Sequence, residues 1–274
     1  MSRFTVLGAG GFVGAHLVEH LRRQGHEVYA PDRHDDSWLE QDLGLVCYCI
    51  GLTNDYYARP FATVEAHVSL LARLLQQGRF QRLVYLSSTR LYDSLLAAVG
   101  EEAASLQLDP VSPRHLYDLS KALGENLCLT QAGGRACVAR LSCVYSDTLE
   151  EGGFLAQVLP PAAAGQDLTL DSSPHFARDY VHIEDVVSLL QALLQGAEPA
   201  IYNLAAGSNT SNGELFAALQ ALTGVHVSCT RQECQPAPRI SIDKAAQAFG
   251  FQPKSLLERL PIILETLKAR HHGA

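Results

Sequence analysis

The sequence predicts a doubly wound parallel α/β sheet followed by a smaller α/β part, and three features predict it. Short apolar runs of strand type alternate with longer stretches of helical periodicity, the pattern of a parallel sheet flanked by helices. Most of the short runs are almost continuously apolar, as strands covered on both faces are. The first run passes straight into Gly8-Ala9-Gly10-Gly11-Phe12-Val13-Gly14 and then an amphipathic stretch, a glycine-rich turn between strand and helix.

In chain order, the expected strands are residues 4–7, 27–30, 45–50, 83–87, 136–141 and 200–204. Helical patterns fill 12–24, 60–77, 114–131 and 184–195, with Gly78 and Gly196 closing the second and the last. Each is long enough for a crossover between parallel neighbours. After about residue 150 the texture changes to GGFLAQVLPPAAAG, a short DLTLD strand, VHVSCT, RISID and helices starting near Asn212 and Ser255. We expect the sheet domain to comprise residues 1–150 plus about 179–206, and the smaller part 151–178 and 207–274. No internal repeat or linker separates them.

The 274 residues are 47% hydrophobic and 18% charged, with 21 Lys+Arg against 29 Asp+Glu and a formal charge of -8. Such a chain has enough apolar residues for a core and is not a disordered one. It lacks the basic excess that a nucleic-acid binder brings to phosphates, so a small-molecule partner is expected. No apolar run reaches the roughly 18 residues of a membrane span, and the N-terminus has no cationic segment followed by an apolar core and cleavage site. The expectation is a soluble, cytoplasmic protein with neither a membrane nor a nucleic-acid partner. Seven cysteines is an odd count, and neither Cys47/Cys49 nor Cys229/Cys234 has the two-residue gap of a zinc or redox pair. We read them as reduced and mostly core filler, and expect no metal.

Glycines at 8, 11 and 14 suit a tight turn, close backbone approach to a pyrophosphate, and close packing of helix on strand, with the helix N-terminus facing the anion. Phe12 and Val13 open that helix. Asp32 ends the second expected strand, where a carboxylate accepts hydrogen bonds from ribose hydroxyls. It favours NAD, while the adjacent Arg33 could pair with a 2'-phosphate and leaves NADP open. Tyr117 and Lys121 lie one helical turn apart in YDLSK, so the ammonium can lower the phenol's pKa and hold a nicotinamide ribose. Upstream, Leu86-Ser87-Ser88-Thr89-Arg90-Leu91-Tyr92 closes a strand at the carboxyl edge, where open α/β sheets carry their chemistry.

These pieces, in this order and spacing, resemble the extended short-chain dehydrogenase/reductase family, in its NAD-dependent sugar epimerase/dehydratase branch. The resemblance extends through Cys49-Ile50-Gly51-Leu52-Thr53, Arg140-Leu141-Ser142-Cys143-Val144-Tyr145, Arg178-Asp179-Tyr180-Val181-His182, Tyr202-Asn203-Leu204 and ISIDKAAQAFGFQP. It implies a Rossmann-like fold and a hydroxyl or keto carbon of a nucleotide-activated sugar as the reacting centre, within polysaccharide or glycosylated-metabolite biosynthesis. It makes Tyr117 the general acid/base, Lys121 its activator and ribose ligand, and Ser88 a second hydrogen-bond partner for the reacting oxygen. Gly8, Gly11, Phe12, Val13, Gly14, Asp32, Arg33, Gly51, Leu52, Ser87, Leu141, Tyr117 and Lys121 would line the cofactor. Ser88, Thr89, Arg90, Cys143 and Arg178 would face the substrate, Arg178 meeting a phosphate. The blander readings are a strand-end cap for Ser88, an ion pair for Arg178 and a solvated or ion-paired Arg90.

Three departures from the family pattern qualify this. Residues 31–44 are too few for a helix, a strand and a second helix, so the third strand is missing or vestigial and the adenine pocket is built differently. Trp38, the one tryptophan, could stack there or simply anchor the loop. Cys143 and Ser146 stand where an asparagine and a glycine are usual, which weakens the inference to a diphosphate sugar. Thr89 and Arg90 occupy the places of the Asp-Glu pair of 4,6-dehydratases, so we expect an epimerase or ketoreductase and not a dehydratase, and Arg90 could instead meet a carboxylate. A reductase of a non-sugar carbonyl and a non-catalytic NAD(P) sensor are the alternatives. Helices 60–77 and 114–131 are the pair that family members use for homodimers, with Leu70, Leu71, Leu74, Leu123 and Leu127 as the possible seam unless they face the protein's own sheet.

Overall fold

Parallel pairing of six strands, the last at Ile201–Leu204, organises the first three-quarters of the chain. The computed structural model describes residues 3–33, 35, 37–53, 55–234 and 237–272, the last two as backbone. The chain runs β1 (Arg3–Leu7), α1 (Phe12–Arg23), β2 (Glu27–Tyr29), β3 (Leu45–Tyr48), α2 (Pro60–Val64), a π-turn (Glu65–Ser69), α3 (Leu70–Gln77) and β4 (Arg82–Ser88). It continues through a 3-10 turn (Thr89–Tyr92), β5 (Val99–Gly100), α4 (His115–Gln131), β6 (Ala136–Leu141) and β7 (Cys143–Tyr145). Then follow α5 (Gly153–Ala163), β8 (Leu168–Leu170), β9 (Ala177–His182), α6 (Ile183–Gly196) and β10 (Ile201–Leu204). The C-terminal stretch holds β11 (Asn209–Ser211), α7 (Asn212–Thr223), β12 (Val227–Cys229), β13 (Arg239–Ile240), α8 (Asp243–Phe249) and α9 (Leu256–His272).

The main sheet has the order β10-β6-β4-β3-β1-β2, with every neighbouring pair parallel. Successive side chains of a strand point to opposite faces, and both faces are covered. Phe4, Val6, Val84 and Leu86 join α1 and α6 in one core, which contains Leu17, Leu21, Val186, Leu190 and Leu193. Leu7, Leu83 and Tyr85 join α3 and α4 in the other, with Leu71, Leu74 and Cys128. This two-sided burial explains why the strands read as apolar runs.

At the β2 edge the sheet ends one strand early. The described residues of 31–44 hold no strand, only a 3-10 turn at Ser37–Glu40, as the shortness of the segment predicts. Trp38 is buried in the core with Leu43, Val46 and Phe80, so it is a loop anchor and its ring is not offered to a base. A cavity of about 580 Å³ opens beside α1, lined by Ala9, Ala15, Val18, Arg22 and Ala30 among others.

The expected helix over 60–77 is interrupted. At its centre the Ala66 carbonyl accepts a hydrogen bond from Tyr48 Oη (2.7 Å) and the His67 carbonyl one from Tyr85 Oη (3.2 Å). Hydroxyls from two strands engage carbonyls of the helical ladder there, a recognised setting for a π-turn. The same packing corrects the expected dimer seam: Leu71 and Leu74 are fully buried under the sheet, and Leu70 and Leu127 pack on that core. Only Leu123 of the five is largely exposed, at 49%.

The smaller part has its own core, where Leu155, Leu159, Phe216, Leu219, Leu260 and Ile263 from α5, α7 and α9 meet. Helix α5 runs through Pro160 and Pro161, residues that disguise it in the sequence. Strands β11, β9 and β7 form a separate three-stranded sheet, which the apolar-run pattern did not single out. All seven cysteines are free. Cys47, Cys128 and Cys137 are buried, Cys49 and Cys229 pack against cores, and Cys143 is exposed. Among the described residues no helix is long and apolar enough to cross a membrane.

Candidate active site

The strands of the main sheet are parallel, so their carboxyl ends lie along one edge. That edge gathers Gly8 after β1, Asp32 after β2, Gly51 after β3, Ser88 at the end of β4 and Leu141 at the end of β6. Gly8 takes the left-handed region at φ 90, and a Cβ there would stand 2.8 Å from the Ile50 nitrogen. A Cβ on Gly14 would overlap the Gly8 carbonyl oxygen. The Gly11 N–H donates to that carbonyl (3.1 Å). Helix α1 starts at Phe12 with no side-chain cap and no acidic residue in its first turn. Its open amides and positive dipole end therefore suit an anion, and this glycine cradle fits the diphosphate of a dinucleotide. Asp32 and Arg33 are both exposed beyond β2.

The second cluster surrounds Tyr117, which is 3% exposed, and Lys121, which is 5% exposed. Lys121 Nζ donates to the Leu86 carbonyl (2.8 Å) and lies 5.0 Å from the Tyr85 ring and 5.9 Å from the Tyr117 ring. Burial brings its pKa down to about 7, with Glu125 acting in opposition. Burial raises the Tyr117 pKa, while a hydrogen bond with Ser88 and the Arg90 charge pull it back. Ser88 Oγ also accepts from the Arg90 N–H (3.2 Å), so the serine caps the turn and meets the phenol at once. Ser87 Oγ is buried with no partner. Thr89 Oγ1 donates to the Leu141 carbonyl (3.3 Å).

Arg90 is not solvated. Its guanidinium lies 4.9 Å from the Tyr56 ring and 4.7 Å from the Tyr117 ring and donates to Tyr56 Oη (3.1 Å). His67 joins the cofactor side to the tyrosine. Its Nε2 accepts from the Leu52 N–H (3.2 Å), and its Nδ1 bonds Ser120 Oγ (2.8 Å), which donates to the Tyr117 carbonyl (2.8 Å). A Cβ on Gly51 would stand 3.2 Å from His67 Nε2 and 3.4 Å from Lys121 Nζ. Sequence reasoning missed His67 and Tyr56; the signal for the first was a histidine within an apolar helical run.

Further out, Cys143 is exposed, and partial desolvation pushes its thiol up to about 11 against the pull of Arg178. Arg178 stacks over Phe176 (4.6 Å) and stands 3.9 Å from Asp93, which pairs with Arg114 at 2.8 Å. The Asp179 carboxylate accepts from the Ala206 and Gly207 N–H groups (2.7 and 2.8 Å) and is not the partner of Arg178. Asp118 is buried with one carboxylate oxygen unpartnered. Burial raises its pKa, and Arg90 and Arg114 oppose that. Among the described residues no group of three or more His, Cys, Asp or Glu could hold a metal ion.

Known proteins share this architecture over nearly the whole chain. UDP-glucuronic acid decarboxylase 6 of Arabidopsis thaliana is 24% identical over 306 aligned positions, covering 98% of this chain and 89% of that protein. The structure of RMD from Pseudomonas aeruginosa complexed with NADPH aligns with a TM-score of 0.79 and 25% identity, over 98% of this chain and 100% of that one. UDP-glucuronic acid 4-epimerase from Bacillus cereus, in complex with UDP-glucuronic acid and NAD, gives 0.78 and 18% identity, over 97% and 99%. The NAD dependent epimerase/dehydratase family model matches residues 4–55 and 38–205, and with its glycine cradle beside a buried Ser-Tyr-Lys cluster the chain belongs to that family.

Proposed function

We propose that this protein is an NAD(P)-dependent enzyme acting on a hydroxyl or keto carbon of a nucleotide-activated sugar, as an epimerase or ketoreductase. The observation that carries the reading is the joint burial of Ser88, Tyr117 and Lys121 at the carboxyl edge beside the glycine cradle. Gly8, Gly11, Phe12, Val13 and Gly14 would hold the diphosphate, Asp32 the adenosine ribose, and Gly51, Leu52, Ser87, Leu141 and Lys121 the nicotinamide half. Exposed Asp32 favours NAD, and Arg33 beside it leaves NADP open. When bound, the dinucleotide supplies the hydride acceptor or donor. Ser88 fixes the substrate oxygen, and Tyr117 takes the proton from that oxygen or returns it. Thr89 and Arg90 offer no carboxylate for eliminating water, which supports epimerase or ketoreductase chemistry over dehydration. Arg90 and Arg178, with Cys143 between charged neighbours, would face an anionic part of the substrate.

Tyr117→Phe is expected to lower turnover by about 10²–10⁴-fold; unchanged turnover would refute the assignment. Small molecules released from the denatured protein and identified by mass spectrometry test cofactor and substrate class together. A thermal shift with at least one of UDP, GDP, CDP and TDP is expected, and no shift with any would overturn the sugar reading.

We also propose a homodimer through α2 and α4. Its support is an apolar face on these contacting helices: Phe61 is 89% exposed, Leu123 49% and Val64 38%. A sedimentation mass near 29.7 kDa at micromolar concentration would exclude it.

A further inference from the structure

Three arginines stand around the candidate substrate site, and they are not equally engaged. Arg114 donates to Asp93 (2.8 Å), and Arg178 lies 3.9 Å from the same carboxylate oxygen, so these two guanidinium groups share one negative charge. Arg90 has no such partner among the described residues. Its side chain donates one hydrogen bond, to the uncharged Tyr56 hydroxyl (3.1 Å). The charge of Asp118 reaches it without an ion pair. A guanidinium carries five N–H donors in a planar fork. Most of those on Arg90 are therefore unspent, although the group is held between two rings, 4.9 Å from Tyr56 and 4.7 Å from Tyr117.

The position of Arg90 says which part of a substrate it meets. Its backbone N–H is bonded to Ser88 Oγ (3.2 Å), and Ser88 is hydrogen-bonded to Tyr117. The guanidinium thus lies against both side chains that would hold the reacting oxygen, and an anionic group within its reach belongs next to the reacting carbon. The exposed Cys143 thiol feels both Arg178 and Arg90, Arg178 the more strongly, so the two cations border one surface. That leaves Arg178 and Arg114 for the diphosphate. A planar carboxylate meets a single guanidinium through two parallel hydrogen bonds, whereas a phosphate would bring up to two negative charges to it.

We propose that Arg90 is a specificity-determining residue for a carboxylate carried next to the reacting carbon, and that the nucleotide-activated sugar is accordingly an acidic one. The proposal rests on the reading of the protein as a nucleotide-sugar enzyme and names the substrates within that class that its site prefers. In the free protein the Tyr56 hydroxyl holds the guanidinium in place for that group.

The test compares sugars that differ only in the carboxylate. Protein loaded with NAD is titrated by calorimetry with UDP-glucuronic acid, UDP-galacturonic acid and GDP-mannuronic acid, each beside its neutral parent, UDP-glucose, UDP-galactose and GDP-mannose. At least one acid should bind about 10- to 100-fold more tightly than its parent, the range of a hydrogen bond to a charged group. Arg90→Gln should bring that ratio to within about threefold of unity, and Arg90→Lys should keep part of it. Arg178→Gln should weaken both members of the pair and leave the ratio standing. Arg90→Met supplies a second neutral variant should the glutamine variant fold poorly, with the thermal unfolding midpoint as the check on folding. Equal binding of acids and parents by the wild type, a ratio that survives in the neutral Arg90 variants, or a ratio lost in Arg178→Gln and kept in Arg90→Gln would each overturn the proposal. So would binding of a free nucleoside diphosphate together with none of the three acids. Failure to bind any of the six sugars or any of UDP, GDP, CDP and TDP would instead defeat the nucleotide-sugar reading itself.

Discussion

The His67 imidazole supports the site through two hydrogen-bonded neighbours. The Leu52 N–H donates to its Nε2, so Nδ1 carries the proton and donates to Ser120 Oγ, whose own hydroxyl donates to the Tyr117 carbonyl. One neutral imidazole thus ties the Gly51–Leu52 loop to the helix that carries Tyr117 and Lys121. Replacing it with leucine leaves the partly buried Leu52 N–H without its acceptor and takes a donor away from the buried Ser120 oxygen. His67→Leu should cost about 1–3 kcal/mol in urea unfolding and weaken NAD binding measured by calorimetry, with His67→Gln recovering part of both. Tyr117, Lys121 and Ser88 were legible because a helical turn and a strand end bring them to predictable places. His67 and Tyr56 were not, since each meets its partner only across the packed layers.

A buried ion pair one turn beyond Lys121 ties helix α4 to the main sheet. Glu125 receives two hydrogen bonds from Arg140 of β6 (2.8 and 2.6 Å), and Arg140 also donates to Tyr92 Oη (2.7 Å), which donates to Asn203 of β10 (2.9 Å). The chain of bonds joins the site helix to two strands of the sheet. Removing one partner leaves the other charge buried and uncompensated, so Glu125→Leu should lose about 3–5 kcal/mol in denaturant unfolding. At this scale the sequence was readable where periodicity is local. The third strand's absence followed from the length of 31–44 alone. The break at Glu65–Ser69 did not, because hydroxyls from Tyr48 and Tyr85 impose it. Helix α5 was hidden by its two prolines.

For the whole molecule, two buried histidines couple stability to pH. Burial, followed by Lys121, lowers His67 to about 3, and burial, followed by Arg259, lowers His182 to about 4, both from 6.5. Between about 6.5 and those lower values the unfolded chain binds more protons than the folded one, so stability rises with pH across that window. The full contribution is present above about pH 6.5 and is lost progressively as the pH falls toward 4 and below. Thermal unfolding midpoints should accordingly drop between pH 6.5 and 4, and the drop should be smaller in His67→Gln.

The sequence by itself determined the parallel sheet, the glycine cradle, the shortened segment beyond β2, and the places of Ser88 at a strand end and of Tyr117 and Lys121 one helical turn apart. All of these are written in local spacing, strand or helix period, and segment length. Only the tertiary structure decided that Trp38, Leu71 and Leu74 belong to the core, that the 60–77 helix breaks at His67, and that Arg90 lies between two tyrosine rings. Those outcomes depend on which distant residues share a face of the sheet and on the cost of leaving a buried polar group unpaired. One-dimensional periodicity records neither.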